Sequence, residues 1–256
     1  MNGKTICIAN QKGGVGKTTT AVNLGTSIAL YNRKTLIVDI DPQGNAGSGI
    51  GMKPDGNSSI YHAIVMDKGI DEIIRETGIP NLYIASSNID LTGAEIELVN
   101  MEHREYRLKR SLEKVKADFD FIFIDCPPSL GLLTINSLVA ADSVLIPLQC
   151  EYYALEGLSQ LLNTVKLVKN RLNPDLILEG ILLTMFDKRN NLSHQVAEEI
   201  VQHFSTKVFK VIIPRNVRLA ESPSHGKPVF FYDKQSAGAK SYVELARYVL
   251  KNERNQ

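Results

Sequence analysis

The chain has 256 residues, 43% of them hydrophobic and 22% charged, with a formal net charge of +1. That balance belongs to a globule able to bury a sizeable core, and it excludes a disordered, collagen-like or uniformly basic chain. Contact with nucleic acid therefore has to be local or created by assembly. No apolar stretch approaches the roughly 20 residues needed to cross a bilayer, and the first residues (MNGKTICIAN) show no basic-then-apolar leader, so a cytoplasmic protein is expected. Cys7, Cys126 and Cys150 form no C-x-x-C pair, and two of them sit in or beside apolar runs; buried, reduced thiols are expected.

In chain order, the apolar run at 5–9 (TICIA) leads into NQKGGVGKTTT at 10–20, after which Ala21, Val22, Leu24, Ile28 and Ala29 fall on one helical face. Strand, glycine loop and helix start is the layout of a phosphate-binding loop. Gly13, Gly14 and Gly16 let the backbone turn tightly and aim N–H groups at one anion, and the helix N-terminus adds partial positive charge. Lys17 supplies a full charge, and the Thr18 hydroxyl sits where a phosphate-bound Mg²⁺ needs a ligand. The strict pattern G-x-x-x-x-G-K-[ST] requires glycine at position 11; here Gln11 and a second lysine, Lys12, stand instead.

The run at 34–40 (KTLIVDI) reads as a buried parallel strand whose carboxyl end delivers Asp39 and Asp41 to a crevice. Residues 45–57, rich in Gly, Ser and Asn, read as a mobile loop or switch. Ser58 or Ser59 caps a short helix through Ile60, Ala63 and Ile64, Asp71 begins another with Ile73 and Ile74, and NLYIA at 81–85 is a strand. Residues 94–116 read as a solvated helical segment in which Arg104, Arg107, Lys109 and Arg110 alternate with Glu102, Glu105 and Glu113. Four apolar residues then precede Asp125, which is the arrangement of a Walker B acid that holds Mg²⁺ directly or through water.

SVLIPL at 143–148 is the next strand, and a helix follows on Leu155, Leu158, Leu161, Leu162 and Val165. Tyr152, Tyr153 and Glu156 line a subunit contact or, as expected more often, start a packed helix. LILEGILLT at 176–184 is a strand, Val196, Ile200 and Phe204 mark a helix, 208–213 reads as the last strand, and a closing helix carries Tyr242, Leu245, Ala246, Val249 and Leu250. Apolar strands alternate with helices throughout, without linker or repeat. The expected fold is α/β: one doubly wound, mostly parallel sheet of P-loop NTPase type in a single domain over 1–256.

The blocks KGGVGKTTT, VDIDPQGN, FIFIDCPPSLG, PLQCEYYALEG and IPRNVRLAESPSHGKP, in that order, resemble the ParA/Soj group of DNA-partitioning ATPases within the ParA/MinD family. That family carries the deviant Walker A loop of the SIMIBI-like NTPases, and the resemblance runs over nearly the whole chain. No helix-turn-helix region precedes the loop, so self-repression at an operator is not implied. The resemblance implies that Lys12 reaches across a homodimer to the other subunit's phosphates, Lys17 binds phosphate, and Thr18 ligates Mg²⁺. It further implies loop contacts to ATP from Gly13, Gly14, Val15, Gly16 and Thr19, orientation of the attacking water by Asp41, and a hold on the metal's water shell by Asp125. Pro214 and Asn216 match the loop that lies against adenine. Arg189 and Arg218 stand where relatives contact DNA, and Lys188 and Arg215 can join them. The implied cycle is an ATP-closed dimer on non-specific double-stranded DNA, released when a ParB/Spo0J-type centromere-binding protein stimulates slow hydrolysis. Regulation of replication initiation or sporulation can accompany that role. The alternative is a MinD-like membrane-associated division switch, which carries a basic amphipathic helix at its C-terminus; here the last apolar face is expected to pack on the sheet.

Overall fold

A computed structural model of the protein describes residues 3–53, 56 and 58–253. The first strand, β1 (Lys4–Ile8), is followed by the glycine loop and helix α1 (Lys17–Ala29), then β2 (Thr35–Asp39), α2 (Asn45–Gly49) and α3 (Ile60–Ile64). Next come β3 (Arg75–Glu76), β4 (Leu82–Ala85), α4 (Leu91–Leu98), α5 (Arg107–Glu113), β5 (Phe121–Asp125) and α6 (Leu132–Ala140). The second half holds β6 (Ser143–Gln149), α7 (Ala154–Arg171), β7 (Ile177–Thr184), α8 (Asn191–Phe204), α9 (Val217–Glu221), α10 (Val229–Tyr232) and α11 (Ala237–Glu253).

The strands form one sheet in the order β3-β4-β2-β5-β1-β6-β7, parallel throughout except for the two-residue β3. Helices cover both faces, so the central strands are apolar on both sides, as in other doubly covered parallel sheets. Ile6, Ile8, Phe121 and Phe123 point toward α1 and α11, whereas Cys7, Ile122 and Ile124 face the cluster built by α4, α5 and α6. The sheet order puts β1 between β5 and β6, with their carboxyl ends at one edge, the position at which open α/β sheets bind ligands.

Several expectations need correction. Residues 45–57 are not simply a loop: 45–49 form α2, and Gly51, left-handed at φ 77°, packs directly on Gly226. Asn57 lies outside the described residues, as do the tail residues 254–256. Asp71 lies in a single 3₁₀ turn (Ile70–Glu72) that feeds β3, an antiparallel edge strand the apolar pattern does not mark. The 94–116 helix is broken at 99–103, where His103 is left-handed (φ 51°). Its Arg107 turns inward, donating to the carbonyls of Ile64 and Val65 at the end of α3 and pairing with Asp67. That guanidinium closes a helix C-terminus and does not belong to a solvated face.

Residues 208–213 are no regular strand. They touch β7 through isolated bridges at Ile181–Val208 and Phe186–Pro214, five residues apart on one side and six on the other. The extra residue destroys a continuous ladder, and Pro214 has no N–H to give it. Tyr152 and Tyr153 do lead into a packed helix, α7, with Tyr153 at its N-cap, but they are not packed themselves: they are 76% and 70% exposed and meet edge to face.

The closing helix meets its expectation. In α11, Tyr242, Leu245, Ala246 and Val249 are buried against α1, and the Tyr242 hydroxyl meets that of Thr20 at 3.1 Å. No helix among the described residues is long and apolar enough to cross a membrane. Leu245→Ala should lower the unfolding free energy by about 2–5 kcal/mol in urea denaturation, the cost of truncating a fully buried leucine. A change under about 0.5 kcal/mol would mean that α11 is loosely docked.

Candidate functional site

The glycine loop is fixed from both sides before any ligand is considered. Asn10 donates its side-chain amide to the Pro147 carbonyl on β6 (2.7 Å) and accepts the Lys12 backbone N–H (2.9 Å). The Thr184 hydroxyl, at the end of β7, donates to the Val15 carbonyl at 2.8 Å. Gly14 and Gly16 have φ of 74° and 90°, a left-handed region in which a side chain is strained, and Gly16 then launches α1 directly. Lys17 is only 6% exposed and folds back to donate to the Lys12 carbonyl (2.9 Å). Burial pushes its ammonium below the usual lysine range, and the negative charge of Asp125 and Asp41 opposes that fall.

Two aspartates end neighbouring strands in the same register, Asp39 on β2 beside Asp125 on β5, and both are fully buried. Asp39 spends its oxygens on backbone N–H groups, at 3.1 Å from Asp41 and 3.0 Å from Ala46. Desolvation still pushes its pKa up to about 7. Neither oxygen of Asp125 has a hydrogen-bond partner, and burial together with the charge of Asp39 raises its carboxyl well above the ordinary value, an effect the adjacent Thr18 side chain opposes. A buried carboxylate with no protein donor, next to a threonine hydroxyl and a phosphate loop, suits a divalent ion or its water shell.

Above this pair, the loop and Asp41 border a cavity of about 950 Å³. Gly13, Gly14, Gly16, Lys17, Thr18, Thr19 and Asp41 line one end, and Pro214, Arg215 and Asn216 line the other. Oδ1 of Asn216 is buried and unpartnered there, open to a donor such as an exocyclic amine. Val15 is buried beneath the loop, so only its backbone can serve a ligand. Lys12 stands apart: its half-exposed side chain leans on Glu151 at the surface, beside the two exposed tyrosines. Thr184, Asn10 and Met185, a left-handed residue on the cavity wall (φ 48°), escaped the sequence reading. The one available signal was a polar residue closing an otherwise apolar run, at Thr184.

The candidate DNA residues fall on adjoining segments, the loop after β7 and the stretch that leads into α9. The Phe186–Pro214 bridge and the Arg215 N–H to the Phe186 carbonyl (3.0 Å) bring the segment of Lys188 and Arg189 beside that of Arg215 and Arg218. The Arg189 guanidinium forms two bonds to Asp187 and its backbone N–H a third, which hold that carboxyl down at about 2. Arg218 pairs with Glu221 at 2.9 Å and Asp233 at 3.4 Å. Cys7 and Cys126 come within 3.3 Å of each other behind the site, unbridged, and burial raises the Cys7 thiol, which keeps it protonated.

Residues 3–178 match a family model described as an AAA domain. The chain is 59% identical over 252 residues to the chromosome partitioning protein ParA of Myxococcus xanthus, covering 98% of this chain and 89% of that one. It is likewise 59% identical over 251 residues to the sporulation initiation inhibitor protein Soj of Bacillus subtilis, covering 98% and 99%. Among solved structures, the cobyrinic acid a,c-diamide synthase of Mycobacterium smegmatis, with bound ADP and magnesium, superimposes with a TM-score of 0.86 at 37% identity, covering 98% of this chain and 96% of that one.

Thr184→Val preserves volume but leaves the Val15 carbonyl without its donor. It should cost about 1–3 kcal/mol in denaturant unfolding, the penalty of an orphaned buried acceptor. Unchanged stability would show that the loop does not depend on β7.

Proposed function

The chain belongs to the ParA/Soj family of chromosome-partitioning ATPases, and from that premise we propose that it is an ATP-dependent DNA-partitioning switch. Two copies close face to face around ATP and hold double-stranded DNA without reading its sequence. Hydrolysis, stimulated by a ParB/Spo0J-type centromere-binding protein, lets them part. The observation that carries this reading is the separation of the two lysines: Lys17 is buried in the cavity with Thr18 and Asp41, while Lys12 projects from the same loop onto an exposed surface. A lysine that serves its own subunit's nucleotide has no reason to lie outside the cavity; one that serves a second copy does.

In this reading the N–H groups of 13–16, with Thr19, cradle the phosphates of ATP, and Lys17 neutralises them. Thr18 ligates Mg²⁺, and Asp125 holds the metal's water shell; the ion would supply charge neutralisation between the phosphates. Pro214 packs against the adenine and Asn216 accepts from its amine. Asp41 orients the attacking water. A carboxylate is a weak base toward water, so unaided turnover is slow, on the order of 10⁻⁴ to 10⁻² per second by analogy with other switch NTPases. Slow chemistry makes a timer that a partner protein can reset. The exposed Tyr152 and Tyr153, beside Lys12 and Glu151, supply apolar surface for the subunit contact.

DNA is held by Arg189 and Arg218, joined by Lys188 and Arg215. Each arginine is partly neutralised by a neighbouring acid in the single chain, and pairing two copies doubles a modest positive surface. The ATP-bound form is then nucleoid-associated and the ADP form free.

Asp41→Ala should bind ATP normally, lose most but not all of its hydrolysis and remain on duplex DNA in filter binding, whereas loss of ATP binding would make Asp41 structural and sink the assignment. With about 4–8 phosphates neutralised per dimer, the log–log salt dependence of DNA affinity should have a slope of about −4 to −7. Arg189→Ala and Arg218→Ala should each flatten that slope by about 2 for a two-fold assembly. An unaltered slope would move the DNA surface elsewhere.

A further inference from the structure

We propose that Asp39 is the positioning residue for hydrolysis, a carboxylate that fixes the Asp41-bearing segment from beneath; this rests on the reading of Asp41 as the group that orients the attacking water. Asp39 and Asp125 are chemically identical, equally buried and in register, yet the surroundings divide their work. The Asp125 oxygens are open. Those of Asp39 are both closed on main chain, one by the N–H of Asp41 and the other by the N–H of Ala46, so a single side chain spans the turn from start to finish.

Three further bonds converge on Asp41 inside that span. Its side chain accepts the Gln43 N–H at 3.0 Å, and its carbonyl accepts from the Gly44 N–H at 3.0 Å and from the Ser87 hydroxyl. Left-handed Gly44 (φ 63°) closes the turn. The chain from Asn45 onward continues as α2, where Gly44 supplies no capping side chain and Asp39 accepts the N–H of Ala46 in the first turn. Asp39 therefore ties both the turn bearing Asp41 and the start of the helix behind it, and just past that helix Gly51 packs on Gly226, in the turn that follows α9 and its Arg218. Asp41 is set by a frame of main-chain bonds to which its own side chain adds one, to the Gln43 N–H.

Asp39→Asn tests this at nearly constant volume. Whichever way the amide turns, one backbone N–H faces another donor, so one tie is lost while the other survives. A misplacement of about 1 Å near a reacting centre can cost on the order of 100-fold. The expected result is a kcat reduced about 10- to 100-fold, with affinity for a non-hydrolysable ATP analogue within about 3-fold of wild type. A double-mutant cycle gives the readout that a structural role would not move: if Asp39 acts through Asp41, Asp39→Asn/Asp41→Ala should hydrolyse ATP no more slowly than Asp41→Ala alone. Wild-type-like turnover in Asp39→Asn beside a strongly slowed Asp41→Ala overturns this inference and leaves the proposed function standing. Additive losses, or a variant that neither folds nor binds the analogue, assign Asp39 to the fold and also overturn it. Full activity in Asp41→Ala overturns the reading of Asp41 and this inference together.

Discussion

Two buried carboxylates at the same level of adjacent parallel strands are the constraint around which the rest of the molecule is arranged. Asp39 and Asp125 lie in register where β2 and β5 end, in a layer from which water is excluded. Burying like charges side by side is costly, and each is tolerable only where something of opposite sign or a donor meets it. The fold answers asymmetrically. Backbone N–H groups satisfy Asp39, and the buried ammonium of Lys17 lies near Asp125 without bonding to it. The remaining imbalance sits beneath the cavity, next to Thr18, which is where, in the proposed function, a cation brought by a nucleoside triphosphate would complete it. Loop rigidity follows the same logic: Asn10 and Thr184 anchor the glycine loop to β6 and β7, so its donors are aimed before a ligand arrives.

In the proposed cycle a nearly neutral chain acquires an electrostatic function by where it keeps its charges. Arg189, in the segment after β7, and Arg218, on α9, stand near the end of the cavity lined by Pro214 and Asn216, each already leaning on an acid. Those exposed pairs contribute little to stability, because solvent and salt screen them, and they can be exchanged for phosphates at small cost. The contact of α2 with the loop at Gly226 gives a short physical route between the hydrolytic turn and that surface.

Much of this was legible in the sequence, for identifiable reasons. The glycine loop, the Asp125 strand and the parallel sheet follow from continuous apolar runs punctuated by glycine and acid, which parallel central strands require. The amphipathic face of α11 announced its packing in the same way. What was not legible lies in tertiary detail. Residues 208–213 are apolar enough for a strand, but a one-residue mismatch with β7 leaves only two bridges. Arg107 looks like surface charge until the open carbonyls of α3 capture it, and the aspartate pair of β2 and β5 exists only once the strands are neighbours. Tyr152 and Tyr153 defied a rule about buried aromatics because they serve no internal core.

The central claim is that the nucleotide lies between two copies of the chain and that Lys12 joins them. Sedimentation velocity of the wild type and of Lys12→Ala, each with ADP and with ATP plus Mg²⁺, tests it most directly. The account predicts that only the wild type with ATP doubles its mass, while Lys12→Ala binds ATP and stays monomeric. A wild type that remains monomeric with ATP, or a Lys12→Ala chain that dimerises as readily as wild type, would contradict it.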